Sequence, residues 1–184
     1  MSKKIVFEEG QLFSIEMAKS KWTLGQLYNY FTMANSTYKQ FTLSFFDYLY
    51  EKEEDLIKVV DIIKLNKPII IVTTNGNPIR HYGMKLIGKK EINYSNIPEY
   101  KKNISSIGLY NAQSIDFDIL IKAFFGIIPY DGFYKDDFVD EYLVKGTKKR
   151  KDIKYLKDYS IEELKKLLPS NSIKLKQELE KRNV

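Results

Sequence analysis

The chain is 184 residues long, 43% hydrophobic and 14% aromatic, enough apolar material for one folded domain with an appendage and too much for a disordered polymer. It has no cysteine and a single histidine, which excludes disulfides, thiolate-held metal, multi-histidine zinc sites and binuclear hydrolase centres. The formal charge of +6 is concentrated at the C-terminal end: residues 145–184 hold 13 Lys/Arg against 6 Asp/Glu, whereas residues 1–144 hold 17 against 18. A nucleic-acid surface would therefore belong to the tail and not to the body.

The start, Met1-Ser-Lys-Lys-Ile-Val-Phe-Glu-Glu, has a basic pair but only three apolar residues after it, far short of a signal-peptide core. The longest apolar stretch, Pro68 to Val72, is too short to span a bilayer, so a soluble, cytoplasmic protein is expected. Gly10 supplies a turn, and Leu12, Phe13, Ile15 and Met17 predict a first strand. After Lys19-Ser-Lys, Trp22, Leu24, Gln26, Tyr28 and Tyr30 alternate with Thr23, Gly25, Leu27, Asn29 and Phe31 as a second strand. Gly25 there marks a bulge, a bend or a close approach. Asn35-Ser-Thr reads as a turn and Phe41 to Tyr50 as a third strand, completing an antiparallel meander.

Acidic Glu51, Glu53, Glu54 and Asp55 open a predicted helix over 51–65, with Leu56, Val59, Val60 and Ile63 as its apolar stripe and Asn66 and Pro68 as its stop. Pro68-Ile-Ile-Ile-Val-Thr-Thr predicts a buried central strand, Asn75-Gly-Asn-Pro a turn, and Ile79 to Ile87 its hairpin partner. Gly88 to Ser106 is polar and turn-rich. Aromatics return from Ile107 to Tyr142, and Phe117-Asp-Ile-Leu-Ile-Lys-Ala-Phe-Phe-Gly is expected as strand or short loop docked on the sheet. The composition changes at Gly146, which predicts two domains, 1–145 and 146–184. In the second, Ser160 and Glu163 form a capping box for a helix carrying Ile161, Leu164, Leu167 and Leu168. Pro169 ends that helix, and Ile173, Leu175 and Leu179 predict another.

No residue pattern announces catalysis. His81 has no evident partner, and neither a Gly-x-Ser-x-Gly elbow nor a phosphate-cradling Gly-Lys-Ser/Thr loop occurs. Asp131, Asp136, Asp137, Asp140 and Glu141, interleaved with Phe133, Tyr134, Phe138 and Tyr142, contain enough oxygen for a hard cation but lack the spacing of a calcium loop. Carboxylates between rigid aromatics also suit a surface that mates with a basic partner, while the simplest reading is a solvated loop whose rings cap the core. Asp47 reads either as a buried, hydrogen-bonded acid that ties the strand to a neighbouring turn or as an exposed strand-face carboxylate, the latter if Phe46 and Tyr48 point inward. Lys148, Lys149, Arg150 and Lys151 could contact phosphates, the helices after them could pack back on the domain or on a second copy, or the segment could be a solvated linker with a short helical hairpin.

The string Glu9-Gly10-Gln11-Leu12-Phe13-Ser14-Ile15, the Gly25-centred strand and Phe45-Phe46-Asp47-Tyr48, followed by an acidic helix and Pro-Ile-Ile-Ile-Val, resemble the immunity protein 26 family over roughly residues 5–145. Gln11 departs from the acidic residue usual at that place, and the tail lies outside the pattern. The resemblance implies a bacterial immunity protein that neutralises a secreted polymorphic toxin by direct binding, with no cofactor and no catalysis. Some relatives carry a phosphotriesterase label, for which this chain has too few metal ligands. A nucleic-acid module using Lys148 to Lys151 is the competing class, and a metal-dependent hydrolase that needs Asp137 is the third. The fold expected is α+β: a strongly bent antiparallel sheet of SH3-like or half-barrel character, one packed helix, and a basic helical appendage.

Overall fold

A computed structural model describes residues 6–32, 39–74, 77–96 and 117–182. The turns expected at Asn35-Ser-Thr and Asn75-Gly76, and the part of the polar, turn-rich stretch to Ser106 that follows Asn96, lie outside the described residues. The chain divides into two compact units, 1–116 and 117–184. Gly146, where composition changes, falls inside the second unit.

The first unit is built on an antiparallel sheet with the spatial order β4-β3-β2-β1-β5, formed by β1 (Gln11–Ala18), β2 (Lys21–Thr32), β3 (Lys39–Phe45), β4 (Ile70–Thr74) and β5 (Lys85–Lys89). The sheet is open, and with its helices it makes an α+β architecture. Alternation in β1 to β3 decides which side chains share a face, because directly opposed residues point the same way. On one face Leu12 lies opposite Gln26 and Ser14 opposite Leu24. Helix α1 (Glu53–Val59) covers this face, and Leu56, Val60 and Ile63 close a core with Leu12, Leu24 and Phe46. Leu56 is fully buried, worth about 2–3 kcal/mol by its transfer from water.

The other face carries a row across four strands: Phe13 opposite Gly25, Gly25 opposite Phe45, and Phe45 opposite Ile70. These side chains are buried as well, so β1 to β4 are largely buried on both faces, with Ser44, Thr42 and Gln40 of β3 as buried polar groups. Gly25 is the thin point of the row. A Cβ there would stand 3.0 Å from the Phe45 ring, so the glycine makes room for an aromatic side chain and not for a backbone.

Three expectations are corrected. The third strand ends at Phe45; Tyr50 returns only as an isolated bridge opposite Trp22, and Asp47 is exposed between them while Phe46 is buried. Ile79 to Ile87 is no hairpin partner of β4. The Asn77 side chain accepts hydrogen bonds from the backbone N–H groups of Ile79 and Arg80, Pro78 sits in the first turn, and the short helix α2 (Pro78–Tyr82) stops at Gly83 in the left-handed region. The chain then crosses to the far edge, where β5 pairs with β1. Phe117 to Phe124 is a helix, α3, in place of the expected strand or loop. Its buried Phe117, Leu120, Ile121 and Phe124 recur at i, i+3, i+4 and i+7.

In the second unit, α3 leads through Gly126 to a turn-rich segment, a 3-10 stretch at Phe138–Tyr142, and the helices α4 (Ile161–Leu167) and α5 (Ile173–Lys181). The capping box at Ser160 and Glu163 forms as expected, and Ser172 caps α5. Leu156, Tyr159, Ile161, Leu164, Leu168 and Leu175 make the core of this end. It is tied to the residues before Gly146 by backbone contacts. The N–H of Tyr130 donates to the Lys154 carbonyl at 2.9 Å, and the Tyr159 hydroxyl donates to the Gly126 carbonyl at 2.9 Å. Cut at 116/117, each unit holds 15 Lys/Arg against 12 Asp/Glu, so the charge asymmetry of the linear sequence is gone.

Candidate partner-binding surface

The acidic, aromatic segment 131–142 and the basic run beyond it lie in one compact unit, and much of their charge is spent on each other. One Asp140 oxygen accepts from the buried Tyr130 hydroxyl at 2.6 Å, and the other takes the Lys149 ammonium at 2.7 Å. Lys149 also stands 4.6 Å from the Tyr130 ring centre. Asp131 accepts the Leu156 N–H at 2.7 Å, holding the start of the C-terminal core. Lys174 of α5 pairs with Asp136 and holds its carboxyl below the usual carboxylate range. Burial, followed by the hydrogen bond to Asp140, pushes the Tyr130 hydroxyl far up.

Asp137, Lys135 and Glu141 remain toward solvent with the rings. Phe138 is only 4% exposed and is the hub of an aromatic cluster: the ring centres of Tyr134, Phe133 and Tyr142 lie 4.9, 5.0 and 5.2 Å from its own. Tyr134 is 69% exposed. Lys135 is hydrogen-bonded to the Glu141 carboxylate and lies 5.6 Å from the Tyr134 ring centre; that carboxylate first, then Tyr134 and Asp137, raise its ammonium pKa. The predicted acids thus separate into Asp131, Asp136 and Asp140, which hold the unit together, and Asp137 and Glu141, which border exposed aromatics.

The basic run divides as well. Arg150 forms a two-pronged pair with Asp152 at 2.8 Å on both prongs and lies over the Phe125 ring, and Lys149 is held by Asp140. Lys148 and Lys151 are exposed. A four-cation phosphate contact would have to break two of these arrangements.

One cluster was not foreseen. Glu178, 7% exposed, receives Lys181 at 2.9 Å and Arg182 at 2.9 Å and 3.2 Å, while Arg182 also donates to the carbonyls of Tyr159 and Leu156. The i,i+4 spacing of Glu178 and Arg182 is a legible signal; the reach of Arg182 to carbonyls more than twenty residues back in sequence is not. In the first unit, Glu53 at the start of α1 accepts from Ser14 at 2.6 Å and from Lys85 at 2.5 Å, joining the helix to β1 and β5. Near the β1–β5 edge an open cavity of about 510 Å3 is lined by Glu9, Gly10, Lys89, Lys90, Glu91, Ile92 and Tyr94.

His81 lies exposed on α2 beside Tyr82, not on a strand. Among the described residues, no group of three or more His, Asp or Glu side chains is placed to hold a metal ion. Among the same residues, no helix is long and apolar enough to cross a membrane. Compared with family models, curated proteins and solved structures, the chain matches none.

Proposed function

We propose that this protein is a non-enzymatic inhibitor of the immunity type, which neutralises a cognate bacterial toxin domain by direct contact. The observation that carries a binding role is the aromatic cluster around Phe138, with Tyr134 uncovered and Asp137 and Glu141 at its margin. Interface hot spots are rich in such rings, which bring large area and few rotatable bonds. The toxin as target rests on the resemblance of the opening strands. Its residues do coherent work in the fold: Gly10 turns the chain into β1, Gly25 receives the Phe45 ring, and Phe46 enters the core under α1.

Co-expression with the product of the neighbouring gene tests this reading. Restored growth and a complex that survives gel filtration are expected. A toxin that kills regardless and elutes apart from this protein overturns it.

A further inference from the structure

We infer that the face made by Tyr134, Tyr142 and Glu141 over the buried Phe138 ring is the contact surface, and that it receives an arginine or lysine side chain presented by the partner protein. This rests on the binding role proposed above and adds to it a place and a chemistry.

The rings are fixed before any partner arrives. Phe138 is buried and three rings lean on it within 5.2 Å, so ordering them on binding costs little. Tyr134 nevertheless leaves most of its surface in water. The chain itself displays the chemistry that fits there. Lys135 rests its ammonium on the Glu141 carboxylate and over the Tyr134 ring, with Asp137 adding to the field. Both members of that pair are more than 40% exposed, so the attraction is weak and exchanges readily with an incoming cation. A guanidinium suits the place better than the ammonium, since it stacks flat on a ring and meets a carboxylate with two parallel hydrogen bonds.

Charge points the same way. Of the five carboxylates within 131–141, Lys135, Lys149 and Lys174 pair with three and Asp131 turns to the Leu156 N–H, which leaves Asp137 to add negative charge beside Lys135 and the rings, on a unit whose total is positive. This negative spot on a basic body steers a basic segment toward the rings. Lys148 and Lys151 are the exposed cations that a nucleic acid would use instead, and they belong to the opposite charge pattern.

The test uses the full chain and N-acetyl-arginine methylamide, with the glutamine analogue as an uncharged control, read by amide chemical shifts. Saturable shifts confined to residues 133–142 are expected, absent with the control and lost in Tyr134→Ala and Glu141→Gln. Lys135→Ala, which removes the internal competitor, should tighten binding severalfold. Shifts that do not saturate, that spread over the whole acidic surface, or that persist in both variants overturn the inference. With the toxin as partner, Tyr134→Ala should weaken binding roughly tenfold or more, the scale of truncating an aromatic anchor. Full affinity in Tyr134→Ala and Glu141→Gln sinks this surface while the inhibitor reading stands; no toxin binding by the unaltered protein sinks that reading and leaves the arginine titration to judge the surface. Binding of a DNA or RNA oligonucleotide that disappears in Lys148→Ala/Lys151→Ala, with no arginine effect, also overturns it.

Discussion

Gly10 stands at φ +85°, where a Cβ would come within 2.3 Å of the Lys90 carbonyl oxygen. The residue is hemmed by its own hydrogen bonds, its N–H donating to Leu27 and its carbonyl accepting from Lys90, so the backbone has nowhere to move. Gly10→Ala should lower stability by about 1–3 kcal/mol or more in a urea melt, the cost of a strained left-handed residue plus the clash. Glu178 offers a pH signature. The hydrogen bond from Lys181, opposed by burial and supported by Arg182, holds its carboxyl below the ordinary value of 4.5. Its stabilising contribution is therefore fully present above that value and lost as pH falls through the lower, folded one. Glu178→Gln should flatten the acid limb of the stability curve for the C-terminal unit and cost about 1–3 kcal/mol near neutral pH; an acid limb identical to that of the unaltered protein would remove Glu178 as its cause.

At the scale of elements, α1 depends on more than its apolar stripe. Glu53 links its first turn to Ser14 of β1 and Lys85 of β5, and with burial opposing them those two hydrogen bonds bring the Glu53 carboxyl below its ordinary range. Glu53→Gln keeps the shape and removes the charge. It should raise hydrogen exchange across Glu53–Val59 and lower stability by about 1–3 kcal/mol, with the loss shrinking as pH falls and the native carboxylate protonates. The alternation of the first three strands and the Ser160–Glu163 capping box were legible because they are local signals, spanning two to four residues. Helix α3 was also written in the sequence, as the Phe117, Leu120, Ile121, Phe124 stripe, yet Ile119 and Ala123 between those positions blur the period and favour a strand reading. The partner of β5 was not legible at all. Nothing within the five residues of β5 names the edge it joins; the chain passes through the capped α2 and the Gly83 stop before β5 pairs with β1.

For the whole molecule, the change in composition at Gly146 and the boundary at 116/117 describe different things. Composition marks where charge accumulates along the chain, whereas a compact unit forms where side chains are buried together. Ending the chain at Lys145 would remove Leu156, Tyr159, Leu164 and Leu175 and leave Asp131, Asp140 and Tyr130 without the partners they hold across Gly146. Such a truncation should bind the dye ANS and lose protection in α3, and a rigid, dye-silent 1–145 fragment would refute the shared unit. Lys148→Ala/Lys151→Ala is the sound variant for testing phosphate contact, because it removes exposed charge and leaves the core.

By itself the sequence determined the α+β class, the meander of the first three strands, the α1 stripe and the Ser160–Glu163 capping box, since each follows from periodicity or from a side chain within hydrogen-bond reach of its own turn. It also named the residues of the aromatic and acidic segment. Only the tertiary structure decided what those residues do: Asp131, Asp136 and Asp140 turn to Leu156, Lys174 and Lys149, while Tyr134 and Glu141 stay at the surface. Ion pairs and backbone hydrogen bonds between residues far apart in the chain leave no periodic trace, because their partners are chosen by proximity in the folded state and not by spacing along it.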